Sequence, residues 1–472
     1  MKPILRFTAL AAASLLLAGC ASVNIDQAVR ETDDAASPFT GGKLELSRSD
    51  EQRNARDKLS GELLAQPVNM ADAVQLALAN SPAVQSLLAQ SWADMARANQ
   101  FGRIANPVFT FERTTFGSEL ELNRLLSFGL LDLLTLPWRM EISRSQVAQA
   151  RVQLVANVVE QVTQVRQAWV RAVAAEQTLD YARQVNRSAQ ASSELARRMQ
   201  QVGNFNKLQR TRQQVFHADA TAQLASAQHA ATAARETLTR QLGLTDAQAG
   251  RLQLPERLPD LPAELRPPAL VNADANERRL DVRMARTQLD VAGKFQGLNL
   301  VNSLVDVELG IRRDTVFDNA AGTSTPRKGY ELGIRLPIFD WGSASRAAMN
   351  AQSLAAANRY ESTVRGASSQ LRESYSAYRT AYDLARHYRD EIVPLRKTMA
   401  EENLLRYNGM LIGVFELLAD NRSQISSVMS AIKAYEQFWL ADAALAASMT
   451  GKPTAMMMPA TAASGSDRAA GH

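Results

Sequence analysis

The chain has 472 residues, 46% hydrophobic and 21% charged, with a formal charge of +5. It is too apolar to be disordered, and a charge this near balance is weak evidence for a nucleic-acid partner. The single cysteine and four scattered histidines exclude an intrachain disulfide framework, a cysteine-based metal site and paired-histidine zinc motifs.

The first residues read as an export signal. Lys2 and Arg6 precede the apolar run Phe7 to Leu17, which is too short to span a bilayer as a helix. The run ends in Leu17-Ala18-Gly19-Cys20, which resembles the bacterial lipoprotein box. That resemblance implies a signal peptide over 1–19 and lipidation of Cys20, and Ala21 resembles outer-membrane sorting. The alternative is an ordinary secretory signal with a chance cysteine. Residues 20–67 are polar and mixed, and read as an irregular lipidated strap.

Helical spacing begins at Met70 and runs to Ile104, with Val74, Leu78, Val84, Leu88 and Met95 recurring; Pro82 ends a short first helix near Asn80. Val108 to Phe116 is strand-like, Gly117-Ser118 is a turn, and strand character returns over Glu119 to Leu136. Leu125 to Leu136 is apolar on both parities, so its register is open. A helix from about Arg139 to Gln200 would be about 90 Å long. The segment holding Gly203 breaks it. A second helix runs from Lys207 to Leu242, capped by Gly243. A proline-rich linker, Leu254 to Pro268, follows.

The pattern then repeats. The sequence predicts a helix over Ala273 to Gly297 and a strand over Leu304 to Val316. A polar turn follows from Asp318 to Gly329, then a strand over Tyr330 to Ile338. A long helix runs from Ser343 to Arg406, with Pro394 expected to bend it. A break at Asn408-Gly409 and Gly413 precedes a final helix, Val414 to Met449. The repeats span 68–262 and 263–451, and 452–472 reads as a disordered tail. Gly203, Gly409 and Gly413 are expected as turn glycines that tolerate positive φ.

The second hairpin alternates. Val305, Val307, Leu309 and Ile311 share a parity, as do Tyr330, Leu332, Ile334, Leu336 and Ile338. A half-buried soluble sheet alternates too, but these strands have the length of membrane-barrel strands, apolar outward and polar inward. Four strands cannot close a barrel, and an open edge in lipid costs several kcal/mol per unpaired group. Several chains must therefore share one barrel if these strands cross a membrane. Trp138 and Trp341 fall where each hairpin hands over to a long helix, the place for an interfacial aromatic belt or for simple junction packing.

Leu336-Pro337-Ile338-Phe339-Asp340-Trp341-Gly342 resembles the strand-to-helix signature of the TolC-like outer-membrane factor family. Tyr407-Asn408-Gly409 followed by Gly413-Val414-Phe415-Glu416-Leu417-Leu418 resembles its helical turn, and Val68 to Pro82 resembles its opening helix. The resemblance implies a mainly α fold with a membrane β-barrel portion. Long antiparallel helices would form a trimeric α-barrel tunnel, and four strands per chain would build a shared twelve-stranded β-barrel. It implies a homotrimeric outer-membrane channel of a tripartite efflux or type I secretion-like system. Such a channel is a passive duct in outer-membrane lipid with a periplasmic tunnel, docking to a periplasmic adaptor and an inner-membrane transporter. Adaptor docking would fall at Gly203, Gly409 and Gly413, where Arg197, Arg198, Lys207 and Arg210 would either pair with acidic adaptor residues or form a solvated basic face. Periplasmic gate candidates are Glu416, at the position resembling the family's first gate acid, and Asp420; Ala419 stands where the second acid is expected. For both, the competing reading is a solvated surface carboxylate.

Two other classes compete. A periplasmic adaptor-like lipoprotein would frame one helical hairpin with β-rich domains, which this sequence lacks. An enzyme would need a catalytic constellation, and no usable spacing is found, so no activity, metal site or cofactor is expected. His217 and His229 are too far apart to share a metal. Met456-Met457-Met458 invites a copper-binding guess, against which stands a tail with chance methionines.

Overall fold

The computed structural model describes residues 24–267, 279–302, 306–335, 338–339 and 341–453. Cys20, the signal segment, Leu336, Pro337, Asp340 and Met456 to Met458 lie outside the described residues. The elements in chain order are α1 (Ile25–Thr40), α2 (Asp50–Leu63), α3 (Met70–Asn80), α4 (Pro82–Phe101), β1 (Val108–Phe116) and β2 (Glu119–Gly129). Next come α5 (Leu130–Leu134), α6 (Leu136–Gln201), α7 (Lys207–Leu242), α8 (Asp246–Ala249) and α9 (Leu280–Asn302). The chain then forms β3 (Asp306–Asp318), β4 (Thr323–Arg335), α10 (Ser343–His387), a π-helical turn (Tyr388–Ile392), α11 (Val393–Asn408) and α12 (Val414–Thr450).

Three expectations need correction. The strap is not irregular between Ile25 and Leu63: it holds α1 and α2. Asn24 caps α1, and Ile25, Ala28, Val29, Thr32 and Ala36 bury one helical stripe. The strand expected to Leu136 stops at Gly129, where the doubly apolar Leu130–Leu134 turns helical. The polar turn expected from Asp318 to Gly329 is only four residues between strands, since β4 already begins at Thr323. Backbone pairing with β3 overrides the Gly/Ser/Thr composition.

Contacts divide the chain into two units, each drawing on both sequence repeats. The first comprises Met1–Ala55, Pro82–Val158 and Asn276–Ala367. It holds one antiparallel sheet in the linear order β1-β2-β3-β4. In this unit Arg279 is buried yet satisfied: it forks onto Asp281 at 2.7 Å and 3.0 Å and donates to the Ala367 carbonyl. Lys294 bridges Asp290 at 2.8 Å and Glu141 at 3.2 Å.

The second unit comprises Arg56–Ser81, Val159–Ala275 and Ser368–His472. Trp169 is fully buried on α6 and donates its indole N–H to the Val68 carbonyl at 2.8 Å. Asn80 donates to the Gly243 carbonyl at 2.8 Å, tying the end of α3 to the glycine that caps α7. Leu371, Tyr378, Tyr382, Phe438 and Leu445 form a core against Leu261, so the proline-rich linker is packed here rather than loose. Tyr382 Oη donates to the Pro262 carbonyl at 3.1 Å. Pro394 lies two residues past the π-helical turn, just after Val393, whose N–H reaches back to Tyr388. The expected disturbance of the long helix is thus a local widening of its backbone ladder.

Candidate functional site

The sheet is the first site. Every paired strand is antiparallel, and among the described residues β1 and β4 each have one unpaired edge. The register aligns Phe109 with Leu126, Leu126 with Ile311, and Ile311 with Tyr330, so these four form one rung across the sheet. The next rung toward the helices holds Phe128, Leu309 and Leu332. Directly opposed residues share a face. This apolar face is open: Phe109, Leu126, Ile311 and Leu332 are all exposed, and Tyr330 is 87% exposed. A soluble half-buried sheet would cover it, so the alternation is not that of a core.

The opposite face carries the strand carboxylates, among them Glu112, Glu121, Glu308, Asp314 and Glu331. There Arg312 pairs with Asp314 at 2.7 Å and Arg327 with Glu121 at 3.9 Å. One rung further along the strands the apolar face carries cations, before Leu122 and the Leu120–Phe317 pair make it apolar again. Arg124 opposes Phe111 and Arg313 opposes Lys328. The flanking pairs Leu125 with Arg312 and Leu122 with Thr315 set Arg124 and Arg313 at one level. Arg113 projects one rung further.

Trp138 sits in the first turn of α6 and Trp341 two residues before α10; they are 54% and 67% exposed. At the first junction α5 and Thr135 lie between β2 and α6.

The helical turns of the second unit are the second site. After α6, Asn204 N–H bonds to the Met199 carbonyl and Gly203 N–H to Gln200, with Gly203 at φ 81°. After α11, Leu411 N–H bonds to the Arg406 carbonyl and Met410 N–H to Tyr407, with Met410 at φ 59°. Both are Schellman endings. This corrects the glycine reading: Gly409 and Gly413 both have φ −80°, and the left-handed position of the second turn is held by Met410. Glycine stands one residue too early to take it.

Glu416 is exposed in the first turn of α12, and Asp420 follows four residues later on the same face, half-buried. One Asp420 carboxylate oxygen, Oδ2, is shielded without a hydrogen-bond partner. Sequence reasoning missed Arg422. Its guanidinium lies 4.2 Å from the Phe216 ring and donates to Gln213 at 3.1 Å, tying α12 to α7. Burial pushes its pKa down, a cost that the ring face and Gln213 offset. Nothing in local spacing marks Arg422, because its partners are some 200 residues away in sequence. Arg197 and Arg198 are not free cations: both bind Glu194, at 2.7 Å and 2.8 Å, and Arg210 donates to Gln200. Hydrogen bonds from Arg197, then Arg198, hold the Glu194 carboxyl at about 2.

Among the described residues no cluster of side chains could hold a metal ion, and no helix is long and apolar enough to cross a membrane.

No family model and no curated protein matches the sequence. Solved structures do match. The fold is that of outer-membrane channels: mainly helical, with a small four-stranded sheet. The Campylobacter jejuni CmeC outer membrane channel superposes with a TM-score of 0.68 at 13% identity, over 87% of this chain and 89% of that one. The open state of the Neisseria gonorrhoeae MtrE outer membrane channel gives 0.64 at 19% identity, over 84% and 89%. A membrane protein from Pseudomonas aeruginosa gives 0.68 at 19% identity, over 83% and 93%. At these identities the likeness is one of fold, and the TolC-like resemblance read from the sequence holds at that level. CmeC and MtrE are outer membrane channels.

Proposed function

We propose that the chain is one subunit of an outer-membrane efflux channel, a passive duct without chemistry of its own. The observation that carries this reading is the open sheet. It has two unpaired edges, one exposed apolar face and one face holding the carboxylates, on the fold of outer-membrane channels. Closing the edges in lipid requires other copies, and three copies give twelve strands. The apolar face then meets acyl chains, the carboxylate face lines the pore, and Trp138 and Trp341 mark the aromatic belt. The turns at Gly203 and at Gly409 to Gly413 receive a periplasmic adaptor, which links the duct to an inner-membrane transporter. Glu416 and Asp420 form the gate, where carboxylates from several copies attract cations. Cys20 carries the lipid anchor.

The test is the mass of the purified protein in detergent, followed by single-channel recording in planar bilayers. Trimers that conduct in discrete steps support the reading. A verified, folded monomer without conductance overturns it. In conducting trimers, Glu416→Ala is expected to weaken cation preference, and unchanged ion selectivity would remove Glu416 from the gate.

A further inference from the structure

The four cations of the apolar sheet face have a different environment from those on the other side. Arg312 and Arg327 have carboxylate partners. Arg113, Arg124, Arg313 and Lys328 have none among the described residues, and their face carries no described carboxylate that could repel a ligand. Arg313 and Lys328 are directly opposed across the β3–β4 ladder, and both are exposed. Like charges so placed, with Cβ atoms about 5 Å apart, are mutually destabilising. An anion between them would reverse that sign. The cations also adjoin the apolar rungs, with Leu122 and the Leu120–Phe317 pair on their other side. Two residues along a strand advance about 7 Å. The Arg124–Arg313–Lys328 level is therefore about 7 Å beyond the Phe109–Leu126–Ile311–Tyr330 rung, and about 14 Å beyond the Leu309–Leu332 rung.

We propose that Arg113, Arg124, Arg313 and Lys328 bind the phosphate groups of an anionic membrane lipid whose acyl chains lie along the apolar rungs of the same face. The inference rests on the membrane reading of the sheet. A soluble anion would satisfy the cations but leave the rungs uncovered. A zwitterionic lipid would cover the rungs but bring an ammonium group to a site that already has four positive charges. A phosphorylated lipid without a headgroup cation matches both parts.

The experiment uses the full chain, purified in detergent and shown to conduct in bilayers. Native mass spectrometry measures binding of lipid A, of the same lipid stripped of its phosphates, and of phosphatidylethanolamine. Bound lipid A with little retention of the other two is the expected result. Equal retention of the dephosphorylated lipid overturns the proposal on the unaltered protein, whatever any variant does. The combined change Arg124→Gln, Arg313→Gln and Lys328→Gln is expected to weaken lipid A binding about a hundredfold. Arg312→Gln on the opposite face should leave it unchanged. A folded, conducting triple variant that binds lipid A like the original also overturns the proposal. Absence of channels in the unaltered protein is a separate outcome, because it defeats the membrane reading itself.

Discussion

The two helical turns of the second unit close with the same hydrogen-bond motif but from unlike sequences. At the first, Gly203 takes the left-handed position, Phe205 is buried, and Asn206 caps α7 in a reciprocal box with Gln209. At the second, Met410 takes the left-handed position and is 93% exposed, Leu411 is exposed too, and Gly413 starts α12 without a side-chain cap. The comparison teaches that a shared backbone path need not have a shared stability. The first turn is secured by its own residues. The second holds a strained methionine and displays two large apolar side chains. The turn that opens more readily is therefore the second.

Four changes sharpen or break this contrast, read as local hydrogen-exchange protection at each turn. The largest effect is expected from Gly203→Ala. Nothing lies within 4 Å of the added Cβ, so the loss is conformational, about 1 to 2 kcal/mol at the first turn only. Unchanged protection there would mean that the glycine is not what secures the turn. Asn206→Ala should cost about 1 kcal/mol by removing the cap on α7. Met410→Gly should strengthen the second turn by about 0.5 to 1 kcal/mol, since the relieved strain exceeds the added backbone entropy. A weaker second turn in that variant would defeat the strain argument.

The smallest effect concerns acid. The Glu194 carboxyl is depressed from an ordinary value near 4.5 to about 2 by Arg197 and Arg198. A depressed carboxyl contributes its stabilisation above its unfolded value and loses it as pH falls through the folded one. Protection near the end of α6 should therefore decline from about pH 4.5 to about pH 2. Glu194→Gln should abolish the decline.

Much of this architecture was legible in the sequence, where one period dominated each segment. Val108–Phe116 and Lys207–Leu242 were read with their observed ends, and the duplication placed the sheet between helices in each half. The missed pieces share a cause: composition was read where long-range contact decided. The stripe of α1 was present at helical spacing but diluted by charges. Thr323–Gly329 looked like a turn because its strand partner is supplied by β3. That error also hid Lys328 from Arg313, although alternation carried past Ile311 would have placed Arg313 on the apolar face. Met410 was invisible because adjacent glycines drew attention to the wrong positions. Arg422 was missed because its partners on α7 are remote in sequence.

The two open sheet edges have a genetic consequence. If β1 of one copy must find β4 of another, a lesion in either strand harms its neighbours as well as its own product. A proline that blocks the free edge of β1 would stop ring closure wherever that copy were built in. In a cell making both forms, mixed rings would outnumber pure ones, so such an allele would act dominantly. A deletion that removes the chain altogether would be recessive.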